Sequence, residues 1–135
     1  MSIVTIIMKC RDVMSHPPIT VTPDKTLEEA TELLAKHDIG LLVVVERDNP
    51  RRPIGVLSER DVVRAIAWKA PLTVTVREAG TFSGLLYVYA DDPVEKALET
   101  MLKYGVRHVL VLEQNGDLLG VISMRDLVKY CKLSI

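Results

Sequence analysis

Aromatic side chains are scarce in this sequence: one Trp, one Phe and four Tyr make up 4% of 135 residues. Sequence-tolerant binding of single-stranded nucleic acid uses rows of such rings, so this chain is poorly equipped for it. An excess of either charge is missing too. Lysine and arginine number 17 against 18 acids, for a net charge of -1 and a pI of about 6.3. That balance lacks the basic face of a nucleic-acid binder, and nucleic acid is not an expected partner. Cysteine is limited to Cys10 and Cys131. Two thiols cannot hold a metal cluster alone, and a disulfide framework is out of place in a chain that is 48% hydrophobic. Free thiols point to a reducing cytoplasm, the expected location. His16 and His37 have no partner at metal-ligand spacing. No Ser-His-Asp or Cys-His set stands out, so no metal, cofactor or catalytic residue is expected, and the chain is not read as an enzyme. The longest apolar runs, such as Leu41 to Val45, are strand-sized rather than membrane-sized. Met1 to Met8 is apolar but short, charges follow at Lys9, Arg11 and Asp12, and no cleavage-like site follows, so a signal peptide is not expected.

One stretch is present twice. The first copy is Gly55-Val56-Leu57-Ser58-Glu59-Arg60-Asp61 and the second is Gly120-Val121-Ile122-Ser123-Met124-Arg125-Asp126. Each reads as the end of a buried strand, a hydroxyl residue, then a helix. The glycine allows another backbone or a ligand close to the strand. The serine starts the helix, and the aspartate sits in its first turn.

Around these copies the chain alternates short strands and helices. Ile3 to Met8 is an arm or edge strand, and Met8 to Met14 a short helical turn before Pro17-Pro18. Ile19 to Val21 is a strand. Thr26 to Glu29 fits a capping box opening a helix that ends near Asp38 to Gly40. Leu41 to Val45 is a strand covered on both sides, 47–53 a loop with two prolines, Ile54 to Leu57 a strand and 59–68 a helix. In the connector, Val74 and Val76 could pair with a sheet edge. The second half runs as strand Leu85 to Tyr89, a helix capped by Asp92 with Pro93 at its first position and Gly105 at its end, strand His108 to Leu112, a turn at Asn115-Gly116, strand Leu118 to Ile122 and helix 124–131. Trp68 and Phe82 read as packing residues near the connector.

Ala30 and Ala97 lie 67 apart, as do Ile39 and Val106; Ser58 and Ser123 lie 65 apart, as do Asp61 and Asp126. The two-residue difference falls in the loop 47–53, as a duplication with one turn indel requires. The expected division is 1–68 for the first repeat with its arm, 69–80 for the connector and 81–135 for the second repeat. The expected class is α/β (α+β), with two pseudo-symmetric β-α-β-β-α repeats packed sheet to sheet, since either half alone buries too little surface.

These elements resemble the tandem CBS domain module over nearly the whole chain, from about Cys10 to Leu133. The resemblance is carried by Pro23-Asp24 before a helix with Ala30, by Leu41 to Glu46 and by Gly55 to Asp61. In the second half it is carried by Val106-Arg107-His108-Val109, Glu113 and Gly120 to Asp126. It implies two clefts at the interface of the repeats, binding of adenine nucleotides or adenosyl compounds, a sensing role, and dimers shaped as a flat disc.

Asp61 and Asp126 then have two readings that can coexist. Each completes a capping box with Ser58 or Ser123 and suits the helix dipole, and each can accept ribose hydroxyls while the helix N-terminus faces phosphate. Arg60 and Arg125 recur before the acid, where a guanidinium suits phosphate. The second half also resembles the gamma subunit of AMP-activated protein kinase, which implies a phosphate role for Arg107 and His108 and a nucleotide contact for Thr81. The first half has Met14 and Ser15 at that place, so its contact is expected from backbone groups. The resemblance assigns Ile19, Ile39, Gly40 and Leu41 with Ser123, Arg125 and Asp126 to one cleft. It assigns Thr81, Leu86, Val106, Arg107 and His108 with Ser58, Arg60 and Asp61 to the other.

The expected function is a regulatory, energy-sensing module that binds AMP, with ADP or ATP next, and signals to a separate protein; a homodimer is expected. The alternatives are a structural dimerisation module with degenerate clefts and a binder of another adenosyl ligand.

Overall fold

The computed structural model describes residues 8–133. The chain runs α1 (Cys10–Val13), β1 (Thr20–Val21), α2 (Leu27–His37), β2 (Leu41–Glu46), β3 (Asn49–Ser58), α3 (Glu59–Ala67) and α4 (Val76–Ala79). It continues through β4 (Tyr87–Tyr89), α5 (Val94–Tyr104), β5 (His108–Leu112), β6 (Leu118–Ser123) and α6 (Met124–Leu133). Of the expected arm, Ile3 to Ile7 lie outside the described residues.

Pro18–Leu85 forms one compact unit. Its sheet has the order β1-β2-β3, with β1 parallel and β3 antiparallel to β2. Leu42 to Val45 are buried, which is why that run has no polar alternation. The core joins Leu42, Val44 and Leu57 of the sheet to Leu27, Ala30 and Leu34 of α2, Ala65 of α3 and Val76 of α4. Thr26 caps α2 reciprocally: the Glu29 N–H donates to Thr26 Oγ1 at 3.1 Å and the Thr26 N–H donates to Glu29 Oε1 at 3.1 Å. Asp38 closes the helix in the left-handed region at φ 50°.

Three expectations for this unit are corrected. The stretch expected as a loop at 47–53 is mostly strand, because β3 starts at Asn49. As an edge strand it tolerates Pro50 and Pro53, and the register shifts between Val44 and Glu46 absorb the mismatch. Val74 and Val76 do not extend a sheet. A second Thr-x-x-Glu box turns the chain into α4, with Thr75 Oγ1 accepting from the Glu78 N–H at 3.3 Å and Val76 buried. Trp68 is not a packing residue; it is 77% exposed.

The second unit combines the segment ending at Pro17 with the chain from Leu86 onward. Its sheet repeats the pattern as β4-β5-β6, with β4 parallel and β6 antiparallel to β5. Val88, Val109, Val111 and Ile122 pack with Ala97 and Met101 of α5, Leu127 of α6 and Cys10 of α1. Asp92 does not cap α5. Its carboxylate accepts from the Tyr89 N–H at 2.8 Å, completing the turn after β4, and Pro93 takes the N-cap position with Val94 first in the helix. Gly105 ends α5 at φ 65°. The Cys10 N–H donates to the Asp92 carbonyl at 2.8 Å and the Arg11 N–H to the Ala90 carbonyl at 2.9 Å, fixing α1 to this unit. Burial, reinforced by nearby Asp92, pushes the Cys10 thiol up to about 11, so it stays protonated and unreactive.

The sequence repeat and the compact unit are therefore out of phase. Residues before the first repeat's strand dock with the second repeat, and α4, which precedes the second repeat's strand, docks with the first. Among the described residues no helix is long and apolar enough to cross a membrane.

Candidate functional site

Each unit carries one copy of the repeated stretch, and in both the glycine explains what happens next. A Cβ on Gly55 would lie 2.8 Å from the Thr81 carbonyl oxygen and 2.5 Å from the Phe82 ring. One on Gly120 would lie 2.6 Å from the Ser15 carbonyl oxygen. The glycine is spent on a crossing backbone. That backbone is held by paired bonds: the Val56 N–H to the Thr81 carbonyl at 2.9 Å with the Thr81 N–H to the Val56 carbonyl at 2.8 Å. In the other unit the Ser15 N–H reaches the Val121 carbonyl at 2.8 Å and the Val121 N–H returns to the Ser15 carbonyl at 3.1 Å.

The crossing brings a hydroxyl to each aspartate. Thr81 donates to Asp61 Oδ1 at 3.0 Å, and Ser15 donates to Asp126, 3.3 Å from either oxygen. From sequence, the ligand contact at this place is assigned to backbone groups; the structure adds that the Ser15 hydroxyl is bonded to Asp126. The position of Ser15, 66 residues before Thr81, is close to the repeat offset, but the partner of its hydroxyl lies 111 residues along the chain.

The capping reading of the acids is real in both units. Asp61 Oδ2 accepts from the Ser58 N–H at 2.9 Å and the Ser58 hydroxyl at 3.1 Å, while the Asp61 N–H donates to Ser58 Oγ at 3.3 Å. Asp126 Oδ2 accepts from the Ser123 N–H at 2.9 Å, and the Asp126 N–H donates to Ser123 Oγ at 3.1 Å. The N–H of the first helical residue is satisfied by the residue just before the neighbouring strand: Glu59 donates to the Gly40 carbonyl at 3.0 Å and Met124 to the Arg107 carbonyl at 2.8 Å. Asp61 is buried at 5% exposure, whereas Asp126 is half-buried. Arg64 adds an ion pair to Asp61 Oδ1 at 3.8 Å.

The remaining site residues fall into the two units as follows. Ile19, Ile39, Gly40 and Leu41 share the unit of Ser58, Arg60, Asp61 and Thr81. Met14, Leu86, Val106, Arg107 and His108 share that of Ser123, Arg125 and Asp126. The cleft compositions implied by the resemblance thus draw on both units. Leu41 is paired with Ser58 and His108 with Ser123 across their ladders, so each strand start lies beside its own unit's helix N-terminus. Ile19, Ile39, Leu86 and Val106 are half-buried at the margins of the two cores. Arg60, Arg107 and Arg125 are exposed. Met14 lies over Gly120, its sulfur 2.9 Å from where a Cβ would be. Among the described residues no group of three or more His, Cys, Asp or Glu could hold a metal ion.

Comparison with known proteins returns the same duplicated unit. The chain is similar to a CBS domain protein of Pyrobaculum aerophilum solved in complex with AMP, at 38% identity and a TM-score of 0.84, covering 89% of this chain and 90% of that one. It is also similar to the CBS domain pair of the protein MJ0100, solved with 5'-methylthioadenosine and S-adenosyl-L-methionine, at 25% identity and a TM-score of 0.86, covering 96% of this chain and 100% of that one. A 17.7 kDa protein of Acidianus ambivalens is 36% identical over 109 residues; the match takes in 81% of this chain and 64% of that relative's length. The CBS domain family model matches twice, at residues 10–67 and 76–133. With two copies in tandem spanning most of its length, the chain belongs to the CBS domain family, as a CBS pair.

Proposed function

We propose that this CBS pair is a regulatory module that binds an adenosyl ligand, AMP before ADP or ATP, through Asp61 and Asp126, and passes the bound state to a separate protein. The observation that carries this reading is the pair of helix-capping carboxylates, each joined to a hydroxyl from a crossing segment. A carboxylate held at a helix N-terminus can accept ribose hydroxyls while the helix end faces an anion. The choice of AMP is supported by the AMP complex of the 38% identical relative. The methylthioadenosine and S-adenosylmethionine complex of a second neighbour keeps other adenosyl ligands in the same class.

The module acts as a homodimer in this reading. Val63 and Ile66 of α3 are 64% and 62% exposed, and Val128 of α6 is 61% exposed, apolar surface that pairing between copies would cover. A monomer in light scattering at micromolar concentration overturns the dimer. A chain with two cysteines and no disulfide framework fits a reducing cytoplasm.

The test of ligand binding is thermal shift and calorimetry with AMP, ADP, ATP, adenosine, methylthioadenosine and S-adenosylmethionine. A ligand at 100 times its Kd stabilises the protein by about 2.7 kcal/mol. AMP is expected to give the largest shift. No shift with any of the six leaves a structural dimerisation module as the reading.

A further inference from the structure

Asp61 has a charge partner one helical turn along α3. Helical side chains lean toward the N-terminus, and residues three apart share a face. Arg64 is therefore carried back to the level of Asp61, with its Nη1 3.8 Å from Oδ1. The carboxylate is buried at 5% exposure, but the Arg64 side chain is 52% exposed. The position 65 residues on, beside Asp126, is the exposed Lys129, a compact ammonium without the forked donors of a guanidinium.

We infer that Arg64 makes the Asp61 site selective for phosphorylated nucleosides over neutral ones. This rests on the ribose reading of Asp61 given under Proposed function. Oδ2 of Asp61 is held by the N–H and hydroxyl of Ser58, so a ribose diol must bond to Oδ1. That is the oxygen faced by Thr81 and Arg64. A neutral nucleoside seated there shares the counter-charge of Arg64 and returns none. A nucleoside monophosphate brings an anion that the displaced guanidinium can take up. The long, half-exposed side chain can follow it without leaving solvent. Arg64 is thus a specificity-determining residue, distinct from Arg60 and Arg125 of the repeated stretch.

The experiment uses the full chain with Asp126→Ala, which leaves Asp61 as the one remaining ribose acid. Adenosine and AMP are titrated calorimetrically into this protein and into the same protein carrying Arg64→Gln or Arg64→Lys. Circular dichroism melts confirm that each is folded, and Asp126→Asn replaces Asp126→Ala if the latter melts below the assay temperature. For Arg64→Gln the AMP-to-adenosine affinity ratio is expected to fall about tenfold, the effect of losing one partly screened charge near a phosphate. AMP weakens, adenosine holds or tightens, and Arg64→Lys keeps part of the preference. An unchanged ratio, including both affinities moving together, overturns the role of Arg64 and leaves the ribose reading standing. If the Asp126→Ala protein with Arg64 intact binds neither adenosine nor AMP, the ribose reading of Asp61 fails and the role of Arg64 with it.

Discussion

The two aspartates occupy the same place in the repeat and differ in how they are held. Asp61 is sealed in, with Ser58 on one oxygen and Thr81 and Arg64 at the other. Asp126 is more open, accepting from Ser123 and from a longer, shared bond to Ser15. The segments over the two glycines differ as well: a rigid Phe82 ring covers Gly55, while the flexible Met14 covers Gly120. A duplicated motif therefore keeps its architecture while the setting of its copies diverges: Asp61 is buried with both oxygens occupied, and Asp126 stays half-buried.

The largest expected effect comes from filling the glycines. Gly55→Val must displace a backbone carbonyl and a ring, so it is expected to cost about 3 kcal/mol, while Gly120→Val, which meets a carbonyl and a yielding thioether, costs about 2 kcal/mol. Denaturant midpoints compare the two, and equal losses dismiss Phe82 as the cause of the difference.

Next comes removal of the acids. Asp61→Ala strands the Ser58 N–H and the Thr81 hydroxyl in a buried place and should cost about 2–3 kcal/mol of stability. Asp126→Ala, mainly the loss of a cap, should cost about 1 kcal/mol. Calorimetry should show AMP affinity falling in both. Stability loss without affinity loss assigns the acids to capping alone.

The hydroxyls are expected to matter less. Thr81→Val should cost about 1 kcal/mol and Ser15→Ala about 0.5 kcal/mol, because the first bond is shorter and better buried. Thermal melts of the two variants at one pH give the ranking.

The smallest effect is acidic. The hydrogen bond and charge of Arg11 hold Asp91 below its usual value of 3.8, and the bonds from Thr26 hold Glu29 below 4.5. A depressed carboxylate stabilises the fold above its unfolded pKa, and that contribution is lost as pH falls through the folded one. Both ties should therefore weaken below about pH 4. Arg11→Gln should make α1, in hydrogen exchange, less sensitive to acid than in the parent, while α2 keeps its response through Glu29.

Much of this architecture can be read from residue order. The Thr26 box, the apolar run Leu41 to Val45, Gly105 and the Asn115-Gly116 turn each dictate their local structure through a side chain or backbone within three or four residues. What escapes such reading depends on partners far along the chain. Asn49 to Pro53 reads as a loop because of its prolines, yet an edge strand has a neighbour on one side alone, and the register shifts around Val45 let Pro53 sit opposite it. Asp92 reads as a cap, but the Tyr89 N–H takes its carboxylate first. Ser15 is silent in sequence because its hydroxyl meets an acid 111 residues away. The connector box at Thr75 was legible by the same rule as Thr26, and its β-branched neighbours Val74 and Val76 obscured it.

The phase offset between repeat and unit has a practical consequence for dissection. A fragment cut at the repeat boundary, such as 8–68, would carry α1 without the β4-β5-β6 sheet that α1 packs against. It would also leave behind α4, whose Val76 belongs to its own core. The self-contained piece is 18–85, whose ends both fall where the chain passes from one unit to the other. Its counterpart is discontinuous and could be made as one polypeptide only by circular permutation, with 86–133 first and 8–17 joined after it. Deleting the first seventeen residues would on this view injure the C-terminal unit rather than the N-terminal one, because it removes Ser15 from Asp126 and Cys10 from the core around Ile122.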